Sequence, residues 1–127
     1  MRNETIDILL VEDDECFRET MTSLLEGLGY SVISGDNGLC ALHILDQGVI
    51  PKVIITDLEM PKMGGATFLG EVKKREHLAK IPVVLFSSHP YLERIAETLD
   101  VAWSCPKLLD SKLIKDKLEQ IIKILPM

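Results

Sequence analysis

Acidic residues gather at two points of this sequence. Glu12-Asp13-Asp14 follows the apolar run Ile6 to Val11, and Asp57 closes the run Val53-Ile54-Ile55-Thr56. Carboxylates brought into one pocket repel one another, which raises their pKa values unless a cation is present. All-oxygen ligands suit a hard divalent ion, and magnesium takes one or two carboxylates while keeping several waters. Such an ion also neutralises an incoming phosphoryl group. A carboxylate beyond those the metal needs can act as a nucleophile and form an aspartyl phosphate. Asp57 is the candidate, because it stands alone at a strand end beside a loop. Ser87 and Ser88, after the run Val83 to Phe86, offer hydroxyls and backbone N–H groups to phosphoryl oxygens. Lys107 is the lysine nearest a strand's carboxyl edge on that side and offers a positive charge. Each residue also has a plainer reading: an Asp capping a turn, serines in a turn, a solvated lysine. Their combination at successive strand ends favours the chemical reading.

These residues meet only if their elements are arranged in one way. Ile6 to Val11 reads as a first strand. A helix follows from Asp14, a good N-cap, with Phe17, Met21, Leu24, Leu25 and Leu28 at helical spacing. Tyr30 to Ser34 is a second strand, and Leu39 to Leu45 a short helix with Ala41, Leu42 and Leu45 inward. Gly48 to Pro51 is expected to break that helix. The third strand, Val53 to Thr56, is a β-branched run suited to burial on both faces. Met60-Pro61 then forces a turn and Gly64-Gly65 supplies free backbone. A third helix is predicted from Ala66 to Lys80, with Lys73-Lys74-Arg75 on a solvated face. Val83 to Phe86 is the fourth strand, His89-Pro90 a turn, and Tyr91 to Leu99 a short helix. Val101 to Cys105 is a fifth, weaker strand, and Leu109 to Leu125 a final helix.

Strand and helix alternate five times. That pattern predicts an α/β fold, a three-layer α/β/α doubly wound, five-stranded parallel sheet with right-handed crossovers. The expected strand order is 2-1-3-4-5, the flavodoxin-like one. In that order the first and third strands are neighbours. Glu12, Asp13 and Asp57 then converge at the switch point, where open α/β sheets bind ligands.

Length and composition are consistent with this. The chain has 127 residues, is 46% hydrophobic and carries a net charge of −6. This is enough for one domain with an aliphatic core, and argues against direct nucleic-acid binding. No apolar run is long enough to span a bilayer, and no signal peptide is visible. Cys16, Cys40 and Cys105 form no metal or disulfide pattern. They are read as packing residues, and a cytoplasmic location is expected.

Three segments together resemble the receiver domain of bacterial two-component response regulators. They are Leu9-Leu10-Val11-Glu12-Asp13-Asp14, then Asp57-x-x-Met60-Pro61-x-Met63-x-Gly65, then Pro82-Val83-Val84 running into Ser87. The resemblance implies that Asp57 is the phosphoacceptor and that Glu12 and Asp13 are the acidic pair holding Mg2+. It gives Glu59 the position whose backbone carbonyl completes the metal site, and Ser87 the switch hydroxyl. It implies a histidine kinase or phosphotransfer protein as donor and a downstream protein as target. It also implies a signalling surface on the fourth helix, fifth strand and fifth helix, through which a homodimer is possible. The only reactions expected are phosphorylation of Asp57 and its slow reversal. The whole chain, 1–127, reads as a single receiver domain without an output domain.

The last third departs from the family pattern. A Lys directly before Pro is expected at the end of the fifth strand. Here Cys105 precedes Pro106 and Lys107 follows it. The switch aromatic falls on Ala102, with Trp103 beside it on the opposite face. The stretch from Ser87 to Pro106 is about one helical turn short. These departures support an alternative, a degenerate receiver that binds proteins independently of phosphorylation. A phosphatase is disfavoured, because position 59 is Glu where a second Asp is needed.

Overall fold

The β-branched and aliphatic runs form strands wherever they lie between turn-forming residues, and a computed structural model shows where each one goes. It describes residues 4–107 and 110–125. The elements are β1 Glu4–Val11, α1 Glu15–Gly27, β2 Val32–Gly35, α2 Gly38–Asp46, β3 Val49–Thr56, α3 Gly65–Lys73, β4 Val83–Ser87, α4 Leu92–Thr98, β5 Trp103–Pro106 and α5 Ser111–Ile124. The sheet is parallel throughout, in the order β2-β1-β3-β4-β5. This is the predicted flavodoxin-like order.

Alternation along the strands builds two cores, because successive side chains point to opposite faces. Ile8, Leu10, Val53, Ile55, Val84, Phe86 and Cys105 face α1 and α5. Leu9, Val11, Ile54 and Leu85 face α2, α3 and α4. Both sets are fully buried, which is why the central strands read as unbroken apolar runs. The helices begin where predicted chemistry allows. Asp14 Oδ1 accepts from the Phe17 N–H at 2.8 Å, and Asn37 Oδ1 from the Cys40 N–H at 2.9 Å. Each satisfies a backbone donor that the first helical turn leaves open.

Three expectations need correction. First, α3 stops at Lys73, and residues 74–80 form turns. There the Arg75 guanidinium donates to the Glu71 carbonyl at 2.7 Å and pairs with both carboxylate oxygens of Asp46 at 2.8 and 3.0 Å. The turns bury Leu78 completely. Lys73 and Lys74 are solvated as expected, whereas Arg75 is half-buried and anchors the helix end to Asp46. Second, α2 ends at Asp46, as the break at Gly48 to Pro51 implies, but the third strand starts at Val49 and not at Val53. Pro51 pairs with Ile6 of β1, and β4 joins β3 only from Ile54. At Pro51 the strand has one neighbour, so the missing N–H is tolerated as on an edge. Third, Cys16 is exposed and does not pack, whereas Cys105 is buried. The predicted start of the last helix, Leu109, lies outside the described residues. Among those described, no helix is long and apolar enough to cross a membrane.

Candidate phosphoryl and metal site

Strand register assembles the site. Val11 pairs with Thr56, so β1 and β3 end side by side. The Asp57 N–H donates to the Val11 carbonyl at 2.9 Å, and the Glu12 N–H to the Gly35 carbonyl at 3.1 Å. On the other side of β3, Ser87 of β4 pairs with Pro106 of β5. The Lys107 N–H donates to the Ser87 carbonyl at 2.9 Å, which extends that ladder by one bond. Five residues distant in sequence thus stand along one edge of the sheet.

Glu12, Asp13 and Asp57 each bring a carboxylate oxygen within 4.8 Å of the others. Glu12 and Asp57 are buried, and Asp13 is exposed at the rim. Glu12 Oε2 accepts from the Asp14 N–H at 3.0 Å. The Glu12 carbonyl accepts from Arg18 Nη1 at 2.8 Å, so α1 fixes the acidic turn from above. Asp57 Oδ1 accepts from the Leu58 N–H at 2.6 Å. Gly65 is required behind it: a Cβ there would stand 2.3 Å from the Asp57 carbonyl oxygen.

Lys107 enters the pocket. Its ammonium donates to Asp57 Oδ2 at 2.8 Å. It also makes an ion-pair contact with Glu12 Oε1, though without hydrogen-bond alignment. Oε1 is otherwise a buried acceptor with no hydrogen-bond partner. Burial acts first on both groups. It pushes the Glu12 carboxyl above its ordinary value, with Lys107 opposing. It pulls the Lys107 ammonium down, but the Asp57 and Glu12 carboxylates outweigh it and hold it above its ordinary value. Lys107 is therefore a charged ammonium at neutral pH.

The donor set suits a hard divalent cation. It is all oxygen, and it converges. Glu59 is exposed in the loop after β3, and its carboxylate is not among the three that converge. Ser87 is buried at the β4 end, and its Oγ accepts from the His89 N–H at 3.1 Å. Ser88 is exposed. Trp103 packs half-buried against the α1 and α5 core.

The pattern of residues alone did not reveal Phe17, Phe86 and Arg18 as neighbours of this pocket. Helical spacing marks Phe17 only as a core residue. A signal was available in its position, one turn after Asp13 on the helix that starts at the acidic cluster.

A five-stranded doubly wound sheet with three carboxylates and an ammonium at its switch point defines the receiver class of signalling domain. The chain belongs to the response regulator receiver domain family, with residues 8–105 matching it. Chemotaxis protein CheY-3 of Vibrio cholerae is 29% identical over 124 residues, 95% of each chain. The two-component response regulator-like protein APRR7 of Arabidopsis thaliana is 35% identical over 86 residues, 67% of this chain. The chain spans only 12% of that relative's length. Among solved structures, the Mn2+-bound form of response regulator Rcp1 aligns with a TM-score of 0.80 at 26% identity, covering 96% of both chains. The fold and the two-component membership expected from the residues are thereby established.

Proposed function

We propose that this chain is a phospho-accepting receiver. In this reading, a histidine kinase or phosphotransfer protein donates a phosphoryl group to Asp57. The single observation that carries the reading is the Lys107 ammonium 2.8 Å from Asp57 Oδ2, in the crevice that also holds Glu12 and Asp13. A carboxylate oxygen of Asp57 attacks phosphorus, an O–P bond forms, and the P–N bond to the donor imidazole breaks. The imidazole nitrogen keeps that electron pair and leaves. Lys107 holds a positive charge beside the attacked phosphoryl group, and the Ser87 hydroxyl stands ready to donate to one of its oxygens. Glu12 and Asp13 would hold Mg2+, with the carboxylate of Asp57 and the backbone carbonyl of Glu59. When bound, that ion neutralises charge on the phosphoryl oxygens. Rcp1 with Mn2+ is a relative in which a divalent ion is present.

The new charge on Asp57, about −1.5 to −2 by analogy with other phosphorylated side chains, draws Ser87 and Lys107 together. Because the His89 N–H holds Ser87 Oγ, that movement is passed to the start of α4. A downstream protein, or a second copy, then reads the α4–β5–α5 face. The setting for this exchange is the cytoplasm, where nucleoside triphosphates supply the kinase. The degenerate-receiver alternative drew support from the missing Lys before Pro106, the absent switch aromatic and the short fourth helix, and the first of these bears on the pocket itself. That support weakens with Lys107 in the pocket.

The test is a titration with beryllofluoride, a phosphoryl mimic, with and without Mg2+, followed by Trp103 fluorescence and binding heat. Binding that needs Mg2+ and is abolished in Asp57→Asn supports the reading. A folded protein that binds nothing under either condition overturns it.

A further inference from the structure

We propose that Phe17 and Phe86 form an aromatic clamp that positions the Lys107 ammonium on Asp57. Lys107, so held, takes the place of the lysine that this chain lacks immediately before Pro106. The clamp's functional consequence rests on Lys107 serving the phosphoryl group as proposed above.

The Lys107 Nζ lies 5.0 Å from the ring centroid of Phe17 and 5.5 Å from that of Phe86, over both rings. The two rings stack on each other, with centroids 5.4 Å apart and planes 30° apart. Phe86 is completely buried, and Phe17 is half-buried against the same core. The ring faces are thus fixed by packing before the ammonium arrives. An aromatic face carries negative charge density and attracts a cation, more strongly where water is excluded.

This arrangement answers a problem set by the sequence. Lys107 lies one residue past Pro106, the last residue that β5 pairs with β4. Its side chain must fold back over the strand end to reach Asp57. A lysine stem is long and flexible, and ordering it costs side-chain entropy. Two carboxylates pull the ammonium inward, but they supply no lateral wall. The rings do. Phe17 comes from the helix that begins at the acidic turn, and Phe86 directly precedes Ser87. The clamp therefore joins α1, β4 and the end of β5 beside the site. Phe17 and Phe86 are positioning residues, acting only through Lys107.

Position 17 is the one to vary, because it is half-buried and tolerates replacement better than position 86. Phe17→Leu removes the ring while keeping apolar bulk. Phe17→Tyr keeps the ring. Incorporation of 3,4,5-trifluorophenylalanine at 17 keeps the shape and weakens the negative face. Two readouts are taken. The first is the NMR shift of the Lys107 ε-methylene in metal-free protein, assigned by its loss in Lys107→Arg. The second is beryllofluoride affinity in Mg2+.

The ε-methylene is expected upfield of the other lysines in the wild type and Phe17→Tyr, and nearer to them in Phe17→Leu. The affinity should fall roughly three- to tenfold in Phe17→Leu, less in the trifluoro protein, and remain within twofold in Phe17→Tyr. Equal affinity in the wild type, Phe17→Leu and the trifluoro protein overturns the clamp. So does an unshifted Lys107 methylene in the wild type. If the wild type binds no beryllofluoride at all, the phospho-acceptor reading fails, and the methylene shift alone decides the clamp. Should Phe17→Leu not fold, the trifluoro and Tyr proteins carry the comparison.

Discussion

Lys107 Nζ stands 2.8 Å from Asp57 Oδ2, across a sequence separation of 50 residues. Glu12, the second carboxylate it touches, is almost wholly buried. Removing one partner of a buried ion pair leaves the other charge uncompensated. Lys107→Met should therefore lose about 2–4 kcal/mol of stability in metal-free buffer. Added Mg2+ should restore part of it, because the same carboxylates would hold the ion. Urea unfolding with and without Mg2+ measures both effects. Unchanged stability without metal would show that the pair contributes nothing net.

Gly65 and Gly70 of α3 should respond oppositely to alanine. At Gly65 a Cβ meets backbone, the Asp57 carbonyl oxygen at 2.3 Å and Leu58 Cα at 3.1 Å. Backbone cannot swing aside as a side-chain end can. Gly65→Ala should cost about 1–3 kcal/mol, as overpacking does, and weaken Mg2+ binding by shifting Asp57. At Gly70 nothing lies within 4 Å. There Gly→Ala should stabilise by about 0.5–1 kcal/mol through helix propensity. Thermal denaturation of the two variants side by side is the check.

The three thiols should separate by reactivity. Cys16 is exposed, and Cys105 is fully buried with its thiol pushed up to about 11 by that burial. Only the thiolate attacks a disulfide reagent. At pH 8, Cys16 should react first, and Cys105 only after unfolding. Mass mapping of labelled peptides over time decides this. Labelling of Cys105 in folded protein ahead of Cys16 would contradict the packing described.

Asp7 should set part of the acid limb of stability. The Ser31 backbone N–H, 2.9 Å from Asp7 Oδ2, holds that carboxyl below its ordinary value of 3.8, with Lys52 helping. A carboxyl whose folded pKa is depressed stabilises the fold above its unfolded pKa. The contribution is lost as pH falls through the folded value. Asp7→Asn should cost roughly 1 kcal/mol at pH 7 and flatten the stability profile below about pH 4. Unfolding midpoints from pH 7 down to pH 3 test the sign. A variant that steepens the acid limb would refute it.

The sequence by itself determined the α/β class, the strand order and the acidic crevice. Strands here are contiguous apolar runs, and alternating them with helices permits few parallel topologies. Once β1 and β3 are neighbours, Glu12, Asp13 and Asp57 must meet, because each directly follows its strand. The start of β3 and the end of α3 were misread because local breaker and helix signals were overridden by tertiary partners. Pro51 sits where β3 pairs on one side only, and Arg75 and Leu78 turn the chain toward Asp46 and the core. Position at a strand end marked Lys107 as a candidate, but spacing left open whether its side chain reaches the pocket. Its side chain lies across the end of β5, against rings from α1 and β4. No periodicity within one segment encodes such a contact. Only the packed tertiary structure decided that a lysine on the far side of Pro106 reaches Asp57.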